Sequence, residues 1–215
     1  MQYKLVLFDL DGTLIDTLED LNLAINYALN KNNFPTRSLE HTYNAIGNGV
    51  FILMQRSLPE GTDKETHARC LQDFKDYYKE HYLVNSHPYE GMVEVIKELK
   101  QRGYILGVVT NKYNELANIM INKFFPGLFT YIQGEEPRFK KKPDPEMLNH
   151  VINLSGVNKD EIIYVGDSYV DIETANSAHI PVILANYGYH KGDEFMQIKS
   201  APHIDAPIDL LKILS

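Results

Sequence analysis

The stretch Tyr3-Lys4-Leu5-Val6-Leu7-Phe8-Asp9-Leu10-Asp11-Gly12-Thr13 decides how the rest of the chain is read. A short apolar run stops at an aspartate, and a second aspartate and a glycine follow at once. Residues Tyr3 to Phe8 read as a β-strand, and Asp-Leu-Asp-Gly reads as the turn that leaves it, because Asp and Gly are turn formers. A calcium loop also begins with spaced aspartates, but it requires Gly at its sixth position and Glu at its twelfth. This chain has Leu14 and Asp20 there, so that reading is set aside.

Further along, similar apolar runs recur at Tyr104 to Val109, Tyr131 to Gln133, Glu161 to Val165 and Pro181 to Leu184, with a weaker one around His203 to Asp205. Most are followed by a stretch of helical periodicity. Strands alternating with helices predict an α/β fold, a Rossmann-like, largely parallel sheet. Between Asp16 and Ser86 the pattern changes. Apolar residues now fall at helical spacing, at Leu21, Ala24, Ile25, Ala28 and Leu29, then Phe51, Leu53 and Met54, then Cys70, Leu71, Phe74, Tyr77 and Tyr78. Asp16 with Glu19 is the expected cap of the first of these helices, Pro35 its end, and Gly47-Asn48-Gly49 a break between two others. The expected division is therefore an α/β core of residues 1–15 and 87–215 with an all-helical insertion at 16–86.

Composition narrows the function. At 215 residues with 44% apolar content the chain is long enough for a main domain and a small one. Acidic residues outnumber basic ones by 29 to 21, for a net charge of -8, and no basic stripe interleaved with aromatics is present. A nucleic acid polymer is not an expected partner. Cys70 is the single cysteine, which excludes an intrachain disulfide and fits a reducing compartment. No apolar run is long enough for a signal segment or a bilayer span, so no membrane partner and a cytoplasmic location are expected. A monomer or homodimer is the expected assembly.

In open α/β sheets ligands gather beyond the carboxyl ends of the strands. The residues following the apolar runs are Asp9, then Thr110-Asn111, then Gly166-Asp167 with Asp171 one turn later. Carboxylates crowded on one rim repel each other unless a cation neutralises them, and an oxygen-rich set with few imidazoles favours a hard ion such as Mg²⁺. A small phosphorylated metabolite is the substrate such a rim suits.

The segment "FDLDGTLIDT" resembles the first motif of the haloacid dehalogenase superfamily, DxDGT after a hydrophobic strand. The remaining motifs follow in order: "VVTNK" is similar to the second, Lys142 in "KKPDP" to the lysine of the third, and "VGDSYVDIETA" to the GDxxxD form of the fourth. The insertion resembles that of the branch with a helical cap, and "IGNGV", "PYEGMVEVIKELKQRGYILGVVTNK" and the K-P-x-P element are most similar to the phosphoglycolate phosphatases within it. The resemblance implies a Mg²⁺-dependent phosphatase working through an aspartyl-phosphate.

Carried over position by position, the resemblance makes Asp9 the nucleophile and Asp11 the group that protonates the leaving oxygen and then deprotonates water. Thr110, Asn111 and Lys142 would hold the phosphoryl group. Asp9, Asp11 (through its backbone carbonyl) and Asp167 would contact the metal, with Asp171 either a further metal ligand or a partner of Lys142. Lys142 stands out from Lys140 and Lys141 because Pro143 and Pro145 restrict the backbone beside it. In the insertion, Asn48 and Gly49 are candidate substrate contacts and Arg56 a candidate for a substrate carboxylate. A pyrophosphatase, a nucleotidase and a phosphosugar mutase share the same machinery. A phosphonate hydrolase would need a cap lysine, for which Lys31, Lys64, Lys75 and Lys79 are available. A dehalogenase would lack Asp11, and a phospho-receiver domain, the non-enzyme alternative, would lack the insertion.

Overall fold

A computed structural model describes residues 2–190 and 193–215, of which 193 and 194 are described by backbone alone. The chain divides into two compact units, one formed by Met1–Ile15 with Pro88–Ser215 and the other by Asp16–His87.

The larger unit is built on a six-stranded sheet. Its strands are β1 (Leu5–Phe8), β4 (Ile105–Tyr113), β5 (Tyr131–Glu135), β6 (Ile162–Gly166), β7 (Val182–Ala185) and β8 (His203–Ile204), in the order β5-β4-β1-β6-β7-β8. Every recorded pairing in that sheet is parallel. Helices α5 (Met92–Gln101), α6 (Asn114–Phe124), α7 (Glu146–Ser155) and α8 (Tyr169–Ala178) connect the strands, and the short α9 (Asp193–Met196) and α10 (Leu210–Ile213) follow. Two further strands, β2 (Ile15–Asp16) and β3 (His87–Pro88), lie where the chain passes between units.

β1 occupies the middle of the sheet, and Leu5, Val6, Leu7 and Phe8 are all fully buried. An unbroken apolar run is what a strand covered on both faces requires, and each such side chain contributes roughly 1.5–3 kcal/mol of transfer free energy. The register aligns the strand ends: Phe8 lies opposite Val108 on one side and Val165 on the other. The residues just past these positions therefore emerge along one edge, where the Asp9 N–H donates to the Val165 carbonyl at 2.9 Å.

The strands differ from the apolar runs mainly at their carboxyl ends. β4 continues to Tyr113, so Thr110, Asn111 and Lys112 belong to the strand instead of following it. An apolar pattern ends at Val109, but backbone pairing does not depend on side-chain polarity, and the ladder resumes at Tyr113 opposite Glu135 after a register shift.

The second unit comprises helices α1 (Leu18–Lys31), α2 (Leu39–Ala45), α3 (Val50–Ser57) and α4 (Lys64–His81). α1 packs on α4, and each buries one face, Leu21, Ala24, Ile25, Ala28 and Leu29 from the first and Cys70, Phe74 and Tyr78 from the second. The cap of α1 departs from expectation. Thr17 is the boundary residue, and Asp16 sits one position earlier, accepting from the Leu18 N–H at 3.1 Å. Asp20 ties the end of this unit to its beginning: buried, its carboxylate accepts from both nitrogens of Asn85 and from the N–H and hydroxyl of Ser86, at 2.7–3.1 Å. Among the described residues no helix is long and apolar enough to cross a membrane.

Candidate active site

The carboxyl edge of the central strands gathers three aspartates. Carboxylate oxygens of Asp9, Asp167 and Asp171 lie within 4.8 Å of one another. Asp9 leaves β1, Asp167 leaves β6, and Asp171 sits in the first turn of α8.

Asp171 is fully engaged by the protein. Its Oδ1 accepts from Lys142 Nζ at 2.7 Å and from the Tyr164 hydroxyl at 3.2 Å. Its Oδ2 accepts from the N–H groups of Asp167 and Ser168 and from the Ser168 hydroxyl at 2.6 Å, closing a capping box at the start of α8. A carboxylate so saturated serves to orient its partners. Asp171 is a direct partner of Lys142, and one of its oxygens also belongs to the group that could hold a metal ion.

Lys142 is almost wholly buried, and its ammonium reaches Asp171, Asp9 Oδ1 at 3.0 Å and the Tyr164 hydroxyl at 2.8 Å. Burial disfavours its charge, but Asp171 and Asp9 more than offset that and hold its pKa above the ordinary lysine value. Its backbone is clamped by Asn111, whose side-chain amide donates to the Lys142 carbonyl at 3.0 Å and accepts from its N–H at 2.8 Å. Asn111 thus positions Lys142. Thr110 is buried beside it, with its hydroxyl oxygen accepting from the Lys112 N–H at 3.3 Å.

Asp167 is held by the Thr13 hydroxyl at 3.0 Å on Oδ1 and the Tyr189 N–H at 2.7 Å on Oδ2. Its neighbours leave no room for a side chain. A methyl group added at Gly12, where φ is +84°, would fall 2.3 Å from Asp167 Oδ2, and one added at Gly166 would fall 2.4 Å from the Asp171 carboxyl carbon. Glycine at these points lets the loop after β1 and the end of β6 close tightly on the acids.

These carboxyls are strained electrostatically. Burial raises the Asp9 pKa to about 6, with Lys142 opposing and Asp171 adding to the rise. Burial, then Asp171 and Asp9, push Asp167 well above the carboxylate range. Asp9 Oδ1 is buried and, although 3.0 Å from Lys142 Nζ, accepts no well-aligned hydrogen bond. A buried, all-oxygen donor set whose members repel one another, with one acceptor left unaligned, fits a hard divalent cation.

Asp11 lies two residues on and is paired elsewhere. Its two oxygens are 2.9 and 3.2 Å from Nζ of Lys112, a residue inside the VVTNK segment whose role is not apparent from its neighbours in sequence. Tyr164, Thr13 and the Gly188-Tyr189 turn are likewise parts of the site that no strand-end rule picks out. The only sequence signal for Lys112 is its place inside the VVTNK segment, two residues beyond Thr110.

The candidates in the helical unit are braced within it. Arg56 donates to the Ala45 carbonyl and to Asn48 Oδ1, both at 2.9 Å, so it stiffens the Gly47–Gly49 turn from which α3 starts. Gly49 has φ +80° at the first boundary of α3.

A hydrophobic strand running into Asp9 and Asp11, a strand carrying Thr110, a buried Lys142 and a Gly166-Asp167 turn define the class, and the matching family model spans residues 6–185: the chain belongs to the haloacid dehalogenase-like hydrolases. It is 34% identical over 195 residues to a phosphoglycolate phosphatase of Mesorhizobium japonicum, covering 88% of this chain and 85% of that one. A crystal structure of a predicted phosphoglycolate phosphatase from Haemophilus somnus is 34% identical and superposes with a TM-score of 0.90, covering 100% of this chain and 99% of the other. A crystal structure from Lactobacillus delbrueckii subsp. bulgaricus, 30% identical, superposes with a TM-score of 0.92 over 100% of this chain and 99% of that one.

Proposed function

We propose that the protein is a Mg²⁺-dependent phosphatase that hydrolyses a small phosphomonoester of the phosphoglycolate type, with Asp9 as its nucleophile. The observation that carries this reading is the placement of Asp9 against Lys142, 3.0 Å away, with Asp167 beside it. The names of the relatives support the substrate class.

A dianionic phosphate approaching an anionic carboxylate meets a repulsion of about 4 kcal/mol per charge pair at 4 Å and an effective dielectric of about 20. Lys142 offsets part of it. Asp9, Asp167 and the backbone carbonyl of Asp11 would hold Mg²⁺, which would supply the remaining positive charge. Asp9 attacks phosphorus, the P–O bond to the alcohol breaks, and an aspartyl-phosphate forms. Asp11 gives its proton to the departing alkoxide. It then takes one from the water that attacks the same phosphorus, releasing inorganic phosphate and restoring Asp9. Thr110 donates its hydroxyl to a phosphoryl oxygen, and Asn111 acts by holding Lys142.

We assign substrate choice to the helical insertion 16–86, with Asn48 and Gly49 as candidate substrate contacts. Arg56 shapes the turn that holds them. The test is phosphate release by the purified chain with Mg²⁺ from a panel of phosphoglycolate, pyrophosphate, nucleoside monophosphates and hexose phosphates. Phosphoglycolate is expected to be turned over fastest; absence of release from every member refutes a phosphatase.

A further inference from the structure

Lysines are almost never buried unless paired, and this site buries two, which share no aspartate partner among the ion pairs described. Lys142 serves Asp9 and Asp171. Lys112 has a side chain only 5% exposed, and its ammonium sits against both oxygens of Asp11, a residue 101 positions away whose own side chain is 19% exposed. Burying an ammonium costs several kcal/mol unless a partner with good geometry offsets it. The two-oxygen contact is that partner, and it also restricts where the Asp11 carboxylate points.

We infer that Lys112 is a positioning residue that aims Asp11 for its two proton transfers. This rests on the reading of Asp11 as proton donor and acceptor. Lys112 takes no part in breaking or forming a bond to phosphorus. It holds the Asp11 carboxyl group in one orientation, as acid toward the leaving oxygen in the first displacement and as base toward water in the second.

The consequence separates by leaving group. An alkoxide needs a proton as it departs, whereas p-nitrophenolate leaves without one, so misaiming Asp11 slows release of an alcohol far more than release of p-nitrophenol. Misplacing a catalytic group typically lowers turnover by about 10- to 100-fold.

The experiment uses the full chain with Mg²⁺ and compares Lys112→Met, Lys112→Arg and Asp11→Asn on p-nitrophenyl phosphate and on the alkyl phosphate hydrolysed fastest, with thermal melts of each. For Lys112→Met, kcat on the alkyl phosphate is expected to fall about 10- to 100-fold with KM little changed. On p-nitrophenyl phosphate a rapid first release is expected to survive, followed by slow turnover, since breakdown of the phosphoenzyme still needs Asp11. Lys112→Arg is expected to recover part of the loss, because a guanidinium can also span both oxygens, and it carries the test if Lys112→Met does not fold. An unchanged ratio of alcohol to p-nitrophenol release in the first turnover of the Lys112 variants, with Asp11→Asn inactive on the alkyl phosphate, overturns the role of Lys112. A raised KM with preserved kcat overturns it too, by making Lys112 a substrate contact. Full activity of Asp11→Asn instead overturns the underlying reading of Asp11.

Discussion

Lys142 and Asp171 form an ion pair of 2.7 Å in which the side chains are 1% and 0% exposed. Asp171 is itself fixed by the capping box with Ser168, so the start of α8 sets where the ammonium points, and the ammonium in turn meets Asp9. The pair transmits helix geometry to Asp9.

Neutralising Asp171 therefore removes more than a charge. In Asp171→Asn, Lys142 keeps Asp9 but loses its shorter partner, and breaking a buried pair from one side typically costs about 3–5 kcal/mol. We expect a stability loss of that order in urea denaturation and a fall in kcat/KM of about 100-fold, equivalent to about 3 kcal/mol. A variant with unaltered stability and turnover contradicts the role assigned to the pair.

The raised pKa of Asp9 has a definite sign in a pH titration of stability. A carboxyl that binds its proton more tightly when folded favours the native state at low pH, and that contribution is lost as pH rises through its folded value. For Asp9 the window runs from its ordinary value of 3.8 to about 6, a difference equivalent to about 3 kcal/mol. Asp167 is shifted in the same direction. Without divalent metal the urea midpoint should fall across this window, Mg²⁺ should restore it above about pH 6, and Asp9→Asn should flatten the fall. A midpoint that rises through the window contradicts the assignment.

Asp20 closes the helical unit on itself by accepting hydrogen bonds from Asn85 and Ser86. Asp20→Ala removes the acceptor of four donor groups, of which the two of Ser86 are buried, at about 1–3 kcal/mol for each buried group left unsatisfied. We expect a loss of about 3 kcal/mol in chemical denaturation. A loss below about 1 kcal/mol indicates that water replaces the carboxylate.

The sheet could be read from the sequence because its strands are covered on both faces: Leu5 to Phe8 and Ile162 to Val165 are apolar without interruption and stop where the chain turns. β4 was read short, because Thr110, Asn111 and Lys112 continue a ladder that side-chain polarity does not report. The residue types of the site were visible as acids, amide, hydroxyl and lysine at strand ends. Their pairings were not, since they depend on separations of tens of residues. That Lys112 meets Asp11, that Asn111 clamps Lys142 and that Arg56 spends donors on Ala45 and Asn48 required the folded chain. So did Gly188 and Tyr189, which follow β7 with no acidic residue to mark them.

The central claim is that Asp9 carries the phosphoryl group, and trapping it tests this most directly. The protein, turning over its best phosphomonoester with Mg²⁺, is quenched within the first turnovers, reduced with borohydride and mapped by mass spectrometry. An aspartyl-phosphate is an acyl phosphate and is reduced to homoserine, so we predict homoserine at position 9 and none in the Asp9→Asn variant. Homoserine at another aspartate, or turnover by Asp9→Asn at the rate of the native chain, would contradict the account.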